Sequence, residues 1–155
     1  MRENSALIDG LNEALGDELA AISQYMVQSE MNKSWGYEHL HDTVRARAMD
    51  EMHHAELLIE RILFLGGTPS FSKPLALHVG SDVKEQIAND LSDERSGFES
   101  YNKLVDLAAS ENDKGTEELL ATILRDEEAH LRTLEGQSVQ IAQMGIENFL
   151  ANQVR

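Results

Sequence analysis

The sequence has no cysteine among its 155 residues and only two prolines. Without cysteine the chain forms neither disulfides nor thiolate-ligated zinc or iron–sulfur sites, so a bound metal would need carboxylate and imidazole ligands. Basic residues are also scarce: 13 lysines and arginines against 28 aspartates and glutamates give a net charge of −15. Such a charge disfavours binding to nucleic acids and to anionic membranes, and it attracts small cations.

Long hydrophobic runs are missing as well. No stretch of 18 apolar residues is present, and the N-terminal residues lack the apolar run of a secretory signal. We therefore expect a cytoplasmic protein without a membrane partner. The length is typical of one domain that buries its core without disulfides, which predicts a single domain over residues 1–155.

Both prolines fall in one segment, residues 66–74, which also contains glycine and serine. Long helical patterns precede this break at about 5–33 and 36–65, and two more follow it at about 82–110 and 115–143. A short fifth helix is predicted at 146–150, after Gly145. Short links make neighbouring helices antiparallel, and the proline segment is long enough to cross the bundle. The sequence therefore predicts an all-α four-helix bundle with one long crossover and a short C-terminal helix.

Charged residues interrupt the apolar seams of all four long helices. The seams follow spacings of three and four residues, and the interruptions are a lone glutamate in the first and third helices and a Glu-x-x-His pair in the second and fourth. These six residues are Glu18, Glu51, His54, Glu94, Glu127 and His130. Four carboxylates in one core repel each other and lose hydration. Two divalent cations would balance their charge, so we predict a two-metal site.

A single offset of 76 residues relates the halves of this set, joining Glu18 to Glu94, Glu51 to Glu127 and His54 to His130. The offset indicates a duplicated helical hairpin that presents two half-sites. The pair Glu38 and His41 has no counterpart at this offset, and we interpret it as surface helix. Arginines that would instead neutralise buried carboxylates do not follow the repeat: Arg47, Arg61, Arg95 and Arg125.

The six residues match the ligand pattern of ferritin-like di-iron and di-manganese proteins. By that pattern Glu51 and Glu127 bridge two metals, each of the other glutamates is terminal, and each histidine binds one metal. Asp126 and Asp50 are expected to hold the histidine N–H groups from outside the site.

Two tyrosines, Tyr25 and Tyr101, follow the terminal glutamates by seven residues. Seven residues make about two helical turns, so each tyrosine is expected to point inward near the carboxylate of its own helix. A hydrogen bond to glutamate within the core is one interpretation. A redox or proton-transfer role for Tyr25 is the other.

Nearly the whole chain resembles bacterioferritins. The segments that carry the resemblance are LGDELAAISQY at 15–25, DEMHHA at 50–55, ERILFL at 60–65, LRDEEAH at 124–130 and the MG pair at 144–145. The resemblance implies a ferritin-like fold and a shell of twenty-four subunits built from dimers. It also implies a ferroxidase that oxidises Fe(II) with dioxygen or hydrogen peroxide at a di-iron centre within each subunit, stores ferric mineral, and releases iron with the help of a ferredoxin-type reductant.

The same family binds haem b between two subunits, with one methionine of each as an axial ligand, and Met52 occupies the matching position. Successive residues of a helix are rotated by about 100°, so Met52 faces away from the predicted site. Packing at a dimer contact is the alternative role for this methionine. Five neighbours are expected to line its surroundings: Leu19, Ile22, Met26, Met49 and Ala55. Where some members carry a histidine for an additional iron, this chain has Ala46.

Three other functions are alternatives to iron storage. A di-iron peroxidase of the rubrerythrin type would use the same ligands without storing mineral, but its usual rubredoxin domain needs four cysteines. A DNA-protecting miniferritin is disfavoured by the acidic charge and by a complete ligand set in one chain. A non-catalytic haem-binding or structural subunit predicts a damaged ligand set, whereas this set is intact.

Overall fold

A computed structural model describes residues 5–71 and 75–155, and part of the predicted break, including Pro74, lies outside them. In the described residues five helices follow one another: α1 (Ser5–Ser34), α2 (Glu38–Phe64), α3 (Val83–Ser110), α4 (Lys114–Met144) and α5 (Ile146–Ala151). The long helices begin and end close to their predicted limits. The all-α prediction of four long helices and a short fifth one is confirmed.

Local sequence explains where the helices begin and end. Asp82 caps α3 by accepting a hydrogen bond from the Glu85 N–H at 2.8 Å, and Asp113 caps α4 in the same way. Gly145 has a φ of 82°, a left-handed conformation that glycine adopts without strain, and it separates α4 from α5.

The long connection between α2 and α3 runs along α1. Near its start the Asn12 side chain accepts from the Ser70 N–H at 2.8 Å. Near its end the Gln24 side chain accepts from the His78 N–H at 2.7 Å, and Gln28 donates to the Val79 carbonyl at 2.9 Å. These anchors are spread over four turns of α1, so the connection crosses much of the bundle's length, as predicted.

Two apolar clusters lie at opposite ends of the bundle. One contains residues of α1 to α4, such as Leu11, Leu58 and Leu120, and the other joins Leu40 and Leu134 to α3 and α5. On α2, α3 and α4 five of the six predicted ligands lie in sequence between the members of these two clusters, and the sixth, Glu18, follows the first cluster's residues on α1. The bundle therefore holds a polar layer between two apolar ones. Within the described chain, no helix is both long and apolar enough to cross a membrane.

Candidate metal centre

The structure brings all six predicted ligands together in the polar layer. Every one of them is at least nine-tenths buried. Their donor atoms form two groups in which all atoms lie within 4.8 Å of one another: Glu18, Glu51, His54 and Glu127 in one, and Glu51, Glu94, Glu127 and His130 in the other. The two groups share Glu51 and Glu127, so these two carboxylates lie where they can reach both positions.

Each histidine faces the shared carboxylates with its Nδ1 atom. His54 Nδ1 lies 3.1 Å from Glu127 Oε1 and 3.7 Å from Glu18 Oε2. His130 Nδ1 lies 3.1 Å from Glu51 Oε1. The ring centroids are 6.4 Å apart. One nitrogen and three carboxylates therefore surround each position, a donor set that suits iron, manganese, cobalt or zinc.

Several buried donor atoms of this layer have no hydrogen-bond partner: Glu18 Oε2, Glu51 Oε1, Glu127 Oε1, His54 Nδ1 and His130 Nδ1. An unpartnered buried polar atom costs folding free energy, and a buried charge costs more. The atoms without partners are those that the ligand pattern assigns to metal. The residues present thus fit two divalent cations, which would give these atoms their partners.

The outer nitrogen of each histidine is held by an aspartate of the facing helix. His54 Nε2 donates to Asp126 Oδ2 at 2.8 Å, and His130 Nε2 donates to Asp50 Oδ2 at 2.9 Å. Both aspartates are about half exposed. The predicted contacts of the two aspartates are therefore present, and they keep Nδ1 pointing at the centre.

The tyrosines reach the terminal glutamates in a crossed arrangement. Tyr101 donates to Glu18 Oε1 at 2.6 Å, and Tyr25 donates to Glu94 Oε1. The expectation that each tyrosine lies near the carboxylate of its own helix is wrong. Seven residues span about 10 Å along a helix, whereas α1 and α3 lie side by side so that each tyrosine is level with the other helix's glutamate.

The arginines considered as partners for the ligands pair elsewhere. Arg47 lies 3.6 Å from Asp90, Arg61 lies 2.8 Å from Asp113, and the exposed Arg95 lies 3.6 Å from Glu135. In these ion pairs the arginines neutralise other carboxylates and not those of the six predicted ligands.

The surface-helix interpretation of the pair Glu38 and His41 is correct for only one of the two residues. Glu38 is exposed. His41 is buried, and its Nδ1 lies 2.8 Å from the Ser29 carbonyl oxygen, so the interpretation is wrong for the histidine. Its role is to join α2 to the end of α1.

A second buried polar group, which sequence reasoning missed, adjoins Tyr25. Asp90 accepts hydrogen bonds from Gln24 at 2.9 Å and from Gln28 at 2.8 Å, and it faces Arg47. Burial raises the pKa of Asp90 to about 6, against the attraction of Arg47. In the sequence Asp90 is a polar residue next to the apolar positions of its helix. Surface residues show the same pattern, so the sequence did not indicate its burial.

Protonation compensates part of the charge when no metal is bound. Although burial alone lowers it, the carboxylates of Glu127 and Glu18 raise the pKa of His54 from 6.5 to about 10. The pKa of His130 also rises to about 10, against burial, because of Glu127 and Glu94. Both imidazoles are therefore cations at neutral pH in the metal-free centre, and metal must displace their protons.

The pKa values of the carboxyl groups in this centre shift in opposite directions. Burial, and then Glu127 beside it, raises the pKa of Glu94 to about 8. Burial and the neighbouring Glu18 raise the pKa of Glu51 well above its usual range. Burial acts on Glu127 too, but Glu94 and the two histidines hold its pKa far below the usual range. Glu127 thus stays ionised beside Glu94, which keeps its proton at neutral pH.

These pKa shifts predict that the metal-free protein loses stability as pH rises. Native Glu94 keeps a proton up to about pH 8 that the unfolded chain loses near 4.5, and the native histidines keep theirs to about pH 10. The native state therefore binds more protons throughout this range, and its free energy of unfolding falls with pH. We expect Tm to drop by roughly 5 °C or more between about pH 6 and pH 9.

Thermal unfolding followed by circular dichroism measures this effect. Two Co(II) ions per subunit should flatten the pH dependence, because metal replaces the protons on the histidines. A metal-free Tm that rises between pH 6 and pH 9 would contradict the assigned protonation states.

A cleft between α1 and α3 leads to the centre. Its lining includes Gly16 and Gly97, and it reaches Glu18 and Glu94. A Cβ atom added at either glycine would meet no other atom within 4 Å. Small residues thus leave a path along which an ion can approach the buried carboxylates.

Met52 lies outside this centre, as its rotation on α2 predicts. It is 40% exposed, and Met49, one turn earlier on the same face, is 47% exposed. Met26 on α1 is exposed too, whereas Leu19 and Ile22 pack against the apolar core. Ala55, one turn after Met52, is buried in that core.

Known proteins resemble this chain over most of its length. The family model described as the ferritin-like domain matches residues 8–144. A bacterioferritin of Mycolicibacterium paratuberculosis is 36% identical over 91% of this chain and 89% of its own length. Two proteins named bacterial ferritin are also similar: that of Paramagnetospirillum magnetotacticum is 38% identical over 97% of this chain and 93% of its own, and that of Synechocystis sp. is 37% identical over 99% of both. The chain therefore belongs to the ferritin-like family, within which it is similar to bacterioferritins and bacterial ferritins.

Proposed function

We propose that this chain is the subunit of an iron-storage protein, in which the six-residue centre oxidises Fe(II) and the ferric product is deposited as mineral inside a shell. The observation that carries the proposal is the pair of four-ligand groups with shared Glu51 and Glu127. The storage part is supported by relatives named bacterioferritin and bacterial ferritin. We also propose that residues 1–155 form a single domain.

In this proposal Glu51 and Glu127 would contribute to both iron positions. Glu18 and His54 complete one position, and Glu94 and His130 complete the other. Iron supplies the redox chemistry: two Fe(II) ions give up two electrons, which with two protons reduce dioxygen to hydrogen peroxide or hydrogen peroxide to water. The protein's part is to hold the ions close together and to fix the imidazoles through Asp50 and Asp126.

The remaining parts of the proposal rest on the resemblance to bacterioferritins. They are a cytoplasmic location, a shell of twenty-four subunits built from dimers, and a ferredoxin-type reductant for release. The net charge of −15 favours the accumulation of Fe(II) around such a shell. Ala46 is exposed near Asp50, where a histidine would have added an iron ligand. We therefore propose that iron reaches the mineral from the two-metal centre without that additional ligand.

Storage is distinguished from the rubrerythrin-type alternative by the fate of the ferric product. An excess of Fe(II) is added to the protein in air, and iron and protein are then followed together through size-exclusion chromatography. A storage protein retains hundreds of ferric ions in the fraction of a large shell. A di-iron peroxidase oxidises iron faster with peroxide but leaves the excess as precipitate, and that result would replace our proposal with the alternative.

We also propose that haem b binds between two subunits through Met52. The fit rests on a thioether that points out of the subunit, half exposed, beside a second exposed methionine on the same helical face. A haem iron coordinated there would have an electron-transfer role.

Replacing Met52 with leucine should lower the haem content at least about tenfold, because the thioether that would bind the haem iron is lost while the apolar volume is kept. The Soret band per subunit measures this effect. Met49→Leu, one turn away, is the matched control and should retain haem. Rapid Fe(II) oxidation should be unchanged in both variants, and an equal loss of haem in both would remove the special role of Met52.

A further inference from the structure

The offset of 76 residues that relates the ligands fails for the residues behind the two tyrosines. In three pairs of corresponding positions, one residue is a buried polar side chain and the other is apolar. The correspondences are Arg47 with Ile123, Asp90 with Ala14, and Gln28 with Leu104. The ligand set is thus symmetric, whereas its surroundings are not.

On the polar side a cation lies over a tyrosine that holds a ligand. The Arg47 guanidinium carbon is 5.1 Å from the centroid of the Tyr25 ring, and Tyr25 donates to Glu94. Arg47 is buried, and its Nη1 has no hydrogen-bond partner. Asp90 balances its charge only in part, because Asp90 lies 3.6 Å away and shares its carboxylate with two glutamine amides.

On the other side no buried cation lies over the ring of Tyr101, which packs against apolar side chains in the described part of the chain. Tyr101 belongs to the apolar cluster that contains Leu104 and Ile123, and its hydroxyl donates to Glu18. The two terminal glutamates therefore accept hydrogen bonds from the same kind of donor in different electrostatic surroundings.

A cation over an aromatic ring draws electron density from it and makes its hydroxyl a stronger hydrogen-bond donor. A carboxylate that accepts a stronger hydrogen bond offers less electron density to a metal ion. The buried guanidinium charge also repels a cation directly, and little water is present to screen it. Both effects weaken metal binding on the side of Glu94.

We propose that Arg47 makes the two metal positions unequal: acting through Tyr25 and Glu94, it weakens the position of Glu94 and His130, so that the position of Glu18 and His54 fills first. The inference rests on the proposed two-metal centre. Arg47 is here a positioning residue, because it touches neither metal nor ligand. The effect of Arg47 is that the two metal positions fill in a defined order, which the symmetric ligand set alone does not predict.

Anomalous diffraction from crystals of the full chain loaded with one Co(II) per subunit shows which position fills first. We expect about fivefold higher occupancy at the position of Glu18 and His54, the difference that the net contribution of one ordinary hydrogen bond makes. Equal occupancy, or a preference for the position of Glu94 and His130, would overturn the inference. Calorimetric titration of the same protein separates this from the proposed function: fewer than two Co(II) bound per subunit would refute the two-metal centre itself.

Two variants with opposite expected effects identify the cause. Arg47→Met combined with Asp90→Asn removes both charges without leaving one unpaired, and the two occupancies should become about equal. Asp90→Asn alone keeps the acceptor for the glutamines and leaves Arg47 uncompensated, so the preference should increase. A merely structural role would lower both occupancies together. An unchanged ratio in either variant would overturn the role of Arg47, and Asp90→Asn gives this answer even where the double variant fails to fold.

Discussion

Replacing Glu51 with alanine is expected to slow the rapid oxidation of Fe(II) at least about 100-fold. Glu51 belongs to both four-ligand groups, and its Oε1 atom lies 3.1 Å from His130 Nδ1 and 3.6 Å from His54 Nδ1. Its loss therefore removes one donor from each metal position at once. Loss of residues that only support a ligand typically costs 10- to 100-fold in affinity or activity, so loss of a shared ligand should cost at least as much.

Stopped-flow absorbance of ferric iron measures the rate, after anaerobic loading with Fe(II) and mixing with dioxygen or hydrogen peroxide. Glu56→Ala is the matched control, because Glu56 is an exposed glutamate on the same helix. It should oxidise iron at the wild-type rate. Equally rapid oxidation by Glu51→Ala would remove this centre from the reaction.

The second large effect concerns stoichiometry. Replacing His54 or His130 with alanine should each reduce the number of tightly bound Co(II) ions from two per subunit to one. Each histidine belongs to only one of the two groups, so the other group keeps its four donors. Glu127→Ala should instead weaken both positions, because Glu127 is shared.

Calorimetric titration of metal-free protein with Co(II) counts these sites. His53→Ala is the matched control, since His53 is the exposed neighbour of His54 on α2. It should bind two ions. A histidine variant that still binds two ions tightly, or that binds none, would contradict the division of the centre into two positions joined by shared carboxylates.

The fold and the ligand set were predictable because each rests on a repeated signal. A glutamate at a position where the helical spacing requires an apolar residue predicts a buried carboxylate. The same offset of 76 residues then relates three pairs of such ligands. Helix limits were predictable near Asp82, Asp113 and Gly145. The two aspartates cap the first N–H groups of α3 and α4, and Gly145 adopts the positive φ that ends α4. Such features need no knowledge of which helices touch.

The contacts around the centre were less predictable because they depend on register between helices. A helical pattern gives the direction in which Tyr25 points but not its height relative to α3, and so it did not reveal that Glu94 is the partner. The same limit applies to Asp90, whose burial depends on amides from α1 and a guanidinium from α2. His41 was misread because a buried histidine that bonds to a carbonyl looks like a surface histidine in the sequence.

The most direct test of a two-metal oxidising centre is the amplitude of the rapid ferric absorbance as Fe(II) per subunit increases, in protein mixed with oxidant. The two positions predict an amplitude that grows up to two Fe(II) per subunit and then stops, with slower oxidation of any further iron. The absence of a rapid phase, or an amplitude that levels off at one Fe(II) per subunit or grows past two without a break, would contradict it.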